Sequence, residues 1–233
     1  MAEPSLPRGT LIRWRFLHLL SWVLRAAIVP VIVAIGILVW AVGRNILSFS
    51  SLNAGGPGEG HVGVIAGHWE SDSGAVCPDG LQEVEITLAV AQQVVALLQS
   101  LGYEAEVLAE YSDKLPGYRA DALVAIHADS CLPDRSGFKV ARAARSAIPE
   151  LEDLLVACLY EAYEKSTGLA RDDDTITADM TGYYAFADIA PQTPAAIIEI
   201  GYMGGDRQLL TARQSRVVRG IVAGITCFLQ GED

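Results

Sequence analysis

His61-Val62-Gly63-Val64-Ile65-Ala66-Gly67-His68 opens the informative part of the chain. Residues 62–66 are apolar without the polar alternation of a half-exposed strand, which predicts a strand covered on both faces. Gly67 ends the run directly before a histidine. Outward from it, residues 82–101 predict a helix with Ile86, Val90, Val94, Leu97 and Leu101 on one face. Residues 104–109 read as a short strand, 122–126 as a second buried strand and 137–141 as an edge strand. Residues 150–165 form a helical pattern with Leu151, Leu154, Leu155, Cys158, Leu159 and Ala162 on its apolar side. A strand at 195–200 and a closing helix at 210–229, with Val217, Val218, Ile221, Ile225 and Phe228 inward, complete the series. Strands alternating with helices of these lengths predict an α/β fold: a mainly parallel twisted sheet with helices on both faces.

Composition agrees with a folded chain. Of 233 residues 51% are hydrophobic and 19% charged, which excludes disorder. The 22 Gly and 10 Pro follow no fixed period, which excludes collagen-like and low-complexity architectures. The net charge of −11 is unevenly placed: Arg8, Arg13, Arg15, Arg25 and Arg44 face only Glu3 in residues 1–44, and the remainder is strongly acidic. An acidic domain repels phosphate backbones, so nucleic acid is excluded as a partner.

Residues 26–43 carry no charge and lie between Arg25 and Arg44. As a helix they span about 27 Å, close to the roughly 30 Å of a bilayer core. Pro30 is tolerable there, and the apolar residues 16–24 allow an earlier start with tilt. The arginines ahead of the run predict a cytoplasmic N-terminus, with everything after Arg44 exported. Two readings stay open: a signal peptide cut after Ala41-Val42-Gly43, and an uncleaved single-pass anchor in the cell membrane. The run exceeds the usual signal core, which favours the transmembrane anchor. Residues 45–60 read as a tether reaching about 50 Å when extended, leaving 61–233 as the exported domain.

Ionisable groups recur where this fold binds ligands, beyond the carboxyl ends of the strands. His68 lies two residues past the first strand, His127 directly follows residues 122–126, and Glu199 sits near the end of residues 195–200. Glu83, in the first turn of the helix after strand one, is in phase with Ile86 and Val90 and so points inward. Two imidazoles and a carboxylate at one edge match the ligand set of a catalytic zinc site with one position left for water. Each residue also has a plainer reading: a hydrogen-bonded structural histidine, or a first-turn acid favoured by the helix dipole. Glu199 is the hardest to read plainly, because an acid inside an apolar strand costs free energy unless it is paired or used.

At these residues the chain resembles the zinc-dependent N-acetylmuramoyl-L-alanine amidases of bacterial cell walls. The likeness runs through Gly67-His68-Trp69-Glu70-Ser71-Asp72-Ser73-Gly74-Ala75, Gly80-Leu81-Gln82-Glu83, Ile126-His127-Ala128-Asp129 and Pro194-Ala195-Ala196-Ile197-Ile198-Glu199-Ile200-Gly201-Tyr202, in family order, within residues 61–229. The resemblance implies a zinc hydrolase acting on peptidoglycan, with His68, Glu83 and His127 holding Zn2+ and Glu199 as catalytic acid/base. Trp69-Glu70 stands where Gly-Gly is usual and Asp129 where Asn is usual. Glu70, Asp72 and Asp129 are therefore candidates for outer contacts to the metal or to substrate. The helix usual before the second His strand is reduced to about residues 112–119, broken at Pro116-Gly117.

If His68 and His127 share a metal, the loops carrying Cys77 and Cys131 converge. A bond between those two cysteines then becomes plausible, closing a 54-residue separation worth about 4 kcal/mol; either cysteine as a further metal ligand is the alternative. Cys158 and Cys227, on helices, read as free buried thiols. Tyr183, Tyr184 and Phe186 either line a substrate groove or pack in the core. Arg171-Asp172-Asp173-Asp174 lacks the glycine and terminal glutamate of a calcium loop and reads as a solvated turn. No Gly-x-Ser-x-Gly elbow is present. A zinc peptidase on another wall bond, or a non-catalytic wall-binding or sensing domain of the same fold, are the competing functions. A regulatory protein partner is not legible.

Overall fold

A computed structural model describes Gly58 and residues 60–231. The expected N-terminal anchor (1–44) and nearly all of the tether (45–60) lie outside the described residues. Among the described residues no helix is long and apolar enough to cross a membrane.

Five strands, β1 (His61–Ala66), β2 (Glu104–Leu108), β3 (Ala122–Asp129), β4 (Lys139–Ala141) and β5 (Ala195–Tyr202), form one sheet in the order β2-β1-β3-β5-β4. All neighbours are parallel except β4, which runs antiparallel to β5 at the edge. The buried apolar runs predicted as central strands are the central strands. β3 and β5 run past their expected ends, so His127 and Glu199 lie inside strands rather than just after or at the end of them.

Strand alternation divides the core. Val62, Val64, Ala66, Val124, Ile126, Ala196, Ile198 and Ile200 face one side. They pack there against three long helices, α1 (Glu83–Ser100), α2 (Pro149–Thr167) and, after the short α5 (Arg207–Ala212), α6 (Gln214–Gln230). Ile65, Leu123, Ala125, Ala195 and Ile197 face the other side. That side is covered by Leu115 and Tyr118 and by residues around the one-turn helices α3 (Ala178–Thr181) and α4 (Ala185–Asp188). Both faces are thus covered, but unequally: all the long helices share one face. Residues 112–119 form turns, not a shortened helix, and the closing helix is interrupted at Arg213.

Two expectations about α2 are corrected. Leu151 and Leu154 are exposed; Leu155 and Leu159 are buried as expected, and Glu152 and Tyr163 join them in the seam. Cys158 is bonded to Cys227 of α6, so neither is a free thiol. The pairing follows from close packing: a Cβ on Gly224 would lie 2.8 Å from the Leu159 Cα. That proximity is invisible in either helix alone.

From β1 the chain passes through α1 to β2 on one side, then returns to β3 on the other. The carboxyl ends of β1 and β3 therefore bound the crevice where the winding reverses, the place where open α/β sheets hold ligands.

Candidate metal centre

His68 enters this crevice from the loop after β1 with φ of 67°, and Glu70 follows with φ of 61°. Left-handed backbone at non-glycine residues is uncommon and concentrates where the surroundings hold a side chain in place. His127 comes from β3 and Glu83 from the first turn of α1. One donor atom from each of the three lies within 4.8 Å of the others.

The second nitrogen of His68 is held by a carboxylate, whereas both rings turn a nitrogen to Glu83. His68 places Nδ1 2.6 Å from Asp72 Oδ1, leaving Nε2 3.3 Å from Glu83 Oε2. His127 places Nδ1 3.2 Å from Glu83 Oε1. The same two Glu83 oxygens accept the Ala75 and Ala128 amides at 3.0 Å. Asp72 also accepts the Gly74 amide, tightening the loop. Gly67 and Gly74 give the rings room. A Cβ at Gly67 would lie 2.6 Å from His127 Cε1, and one at Gly74 2.6 Å from Glu83 Oε2, where φ is also +60°.

Glu199 reaches the same crevice by register. It pairs with His127 across β3 and β5, just before a bulge between His127 and Asp129 that re-aims the strand end. By parity both side chains leave the sheet on the face away from the long helices. Glu199 Oε2 is shielded from solvent and has no hydrogen-bond partner.

The electrostatics are those of a site that wants a cation. Hydrogen bonding to Glu83, opposed by burial, pushes His68 up to about 9. Burial pushes Glu83 up, but hydrogen bonds from His127, His68 and two main-chain amides outweigh it and hold the carboxyl well below the usual range. Burial, with help from the charges of Glu83 and Asp129, lifts Glu199 to about 7, against the lowering pull of His127 and Lys139. Glu83 is thus held ionised beside two imidazoles, the donor set that suits a divalent ion. The residues present therefore fit a metal, which His68, Glu83 and His127 could hold. The His68 side chain is 24% exposed while Glu83 and His127 are nearly covered, so access is from the His68 side.

The other sequence candidates fall around this centre. Asp72 supports His68 as described. Asp129 is compensated: its Oδ2 lies 2.6 Å from Nζ of the buried Lys139, which also bonds Thr175. Glu70 is exposed and is not one of the three converging donors. Cys77 and Cys131 are bonded to each other and are therefore not metal ligands; the bond ties the loop after β1 to the loop after β3. Tyr183 is buried, while Tyr184 is partly covered and stacks on the exposed Tyr111 with ring centroids 4.4 Å apart. Asp172, expected to be solvated, bonds Tyr202, Thr175 and Arg135. Sequence reasoning passed over Lys139 and Glu110, which no motif marks.

Residues 62–227 match the family Amidase_3, described as N-acetylmuramoyl-L-alanine amidase. The chain belongs to this family. AmiC of Neisseria meningitidis, a curated amidase of that description, is 33% identical over 89 residues, covering 32% of this chain and 21% of that protein. The match thus spans about a fifth of that relative. Among solved structures, the amidase AmiC2 of Nostoc punctiforme is 25% identical with a TM-score of 0.55, covering 76% of this chain and all of that one. The CwlD amidase of Clostridioides difficile, solved with the GerS lipoprotein, has a TM-score of 0.59 at 19% identity over 73% of this chain and 98% of that one, and shares the fold.

Metal loading of metal-free protein is expected to release protons, because at neutral pH the metal must displace the one held by His68. Apparent affinity should rise about tenfold per pH unit for each proton displaced. Calorimetry in buffers of different ionisation enthalpy measures the release. An affinity flat across neutral pH would show that the metal is not bound through this histidine.

Proposed function

We propose that this chain hydrolyses the amide between the lactyl carbonyl of N-acetylmuramic acid and L-alanine in peptidoglycan, with zinc held by His68, Glu83 and His127. The observation that carries the reading is the convergence of those three donors beside a carboxyl, Glu199, whose pKa burial lifts to about 7. Bound by these residues, zinc would supply a Lewis acid for the scissile carbonyl and a water of near-neutral pKa.

The chain's own residues supply the rest. Asp72 holds the His68 ring at Nδ1 so that Nε2 faces Glu83 and the centre. Glu199, ionised, takes a proton from the attacking water. It then donates that proton to the departing amine nitrogen of L-alanine as the carbon–nitrogen bond breaks, and a pKa near neutrality suits it to both steps. Lys139 neutralises Asp129, so the aspartate at this position does not add an unpaired negative charge near Glu199.

We place the domain outside the cytoplasm, tethered through residues 26–43. The arginine-flanked apolar run supports this, and so do two disulfides, which persist in oxidising compartments.

Digestion of purified wall by the full chain tests the proposal. New L-alanine amino ends should appear, disappear with chelator and return with zinc. Ends from another peptide bond would make the protein a zinc peptidase. Wall binding without cleavage at any metal load would make it a non-catalytic wall module.

A further inference from the structure

Glu110 follows the edge strand β2 and has no part in the proton transfer above, yet it is only 5% exposed. A buried carboxylate costs free energy unless its oxygens are used, and the contacts of this one all point toward the metal centre. Its Oε2 accepts the His68 main-chain amide at 2.7 Å and lies 3.6 Å from His127 Nε2. Its Oε1 accepts the Tyr183 hydroxyl at 2.9 Å. Its own main-chain amide donates to Trp69 O at 3.0 Å, so Glu110 grips the loop after β1 from both its backbone and its side chain.

The state of His127 explains the use of this arrangement. The ring turns Nδ1 to Glu83, and Nε2 is buried with no hydrogen-bond partner. A neutral imidazole that offers its Nδ1 lone pair to a metal carries its proton on Nε2. That proton has no access to water and faces Glu110 Oε2, where a shift of about half an ångström makes a hydrogen bond. The Tyr183 ring meets the His127 ring edge-on at 5.6 Å, which restricts it from one side.

We propose that Glu110 is a positioning residue that clamps both imidazoles of the metal centre, His68 through its main-chain amide and His127 through its Nε2–H, with Tyr183 bracing the carboxylate. This rests on the metal-centre reading above and adds to it a carboxylate that no motif of the chain announces. Without Glu110, the left-handed His68 loses the acceptor for its amide, and His127 is free to exchange tautomers and present the wrong nitrogen.

The test uses zinc and the purified full chain, with affinity measured by competition against a chromophoric chelator. Glu110→Ala is expected to weaken zinc binding by about 10–100-fold, the range for partners that orient metal-bound histidines. Glu110→Gln, which keeps the shape and one acceptor oxygen, should recover part of that loss. Nitrogen-15 spectra of the zinc-loaded parent chain give an answer that needs no variant: His127 should show one protonated Nε2 and a metal-bound Nδ1. Wild-type zinc affinity in a folded Glu110→Ala chain, or a His127 bound through Nε2, overturns the role of Glu110 and leaves the amidase reading standing. Failure of the parent chain to bind zinc at all overturns both.

Discussion

Glu199→Gln should retain metal yet lose turnover by about 10²–10⁴-fold, the usual worth of a positioned general acid–base group. The amide is nearly isosteric and can still accept a hydrogen bond, but it can neither take a proton from water nor hand one to an amine. In the parent chain the rate should fall as the pH drops and Glu199 becomes protonated. The group reads about 7 in the metal-free protein, and a neighbouring cation moves that limb lower. Wall digestion with end-group analysis, run beside metal analysis of the same sample, checks both halves of the expectation. Full turnover in the variant would remove Glu199 from the mechanism.

The same substitution should stabilise the metal-free protein. The carboxyl has its pKa raised from 4.5 to about 7 on folding, so the folded state prefers the protonated form. The cost is absent below the unfolded pKa, grows between the two values and is fully present above the higher one. A shift of that size corresponds to roughly 3 kcal/mol. Denaturant unfolding in chelator should therefore show Glu199→Gln more stable than the parent above neutral pH, with the gap closing as the solution is acidified below the unfolded pKa.

Glu83→Gln should do the reverse. Its carboxylate serves two imidazoles and two main-chain amides at once, and folding holds its pKa low. The stabilisation is present above the ordinary carboxylate pKa and is lost as the pH falls through the depressed value. Gln keeps one acceptor oxygen and sets an NH2 against donors. The variant should lose stability on the order of 3 kcal/mol, and its metal affinity should fall beyond the roughly 10–100-fold typical of outer partners. Unfolding midpoints and chelator competition measure the two effects. Two carboxylates at one crevice thus have opposite consequences for stability: Glu83 is stabilised by its partners, while Glu199 is held at a cost. A Glu83→Gln chain with parental stability and affinity would contradict the arrangement.

Much of this site was legible because it sits on local patterns. His68 and His127 stand out as polar interruptions where apolar strand runs meet their carboxyl ends, and Glu83 is marked by its phase with Ile86 and Val90. Glu199 is conspicuous as an acid in an apolar strand. Element types were legible for the same reason, since runs and periods of three to four residues report burial directly. Ends of elements were less so: β3 and β5 run on through His127 and Glu199 because pairing with a neighbour continues a strand where apolar character has stopped.

What the amino-acid order determined by itself was a sheet with ionisable groups at one rim, because strand and helix periodicities are properties of neighbouring residues. What only the tertiary structure decided was a further set of features that depend on how distant surfaces pack. The long helices gather on one face, Leu151 and Leu154 face solvent, Cys158 meets Cys227, Lys139 neutralises Asp129, and Glu110 reaches both histidines. Such contacts depend on which surfaces pack together and how closely the chain can approach itself.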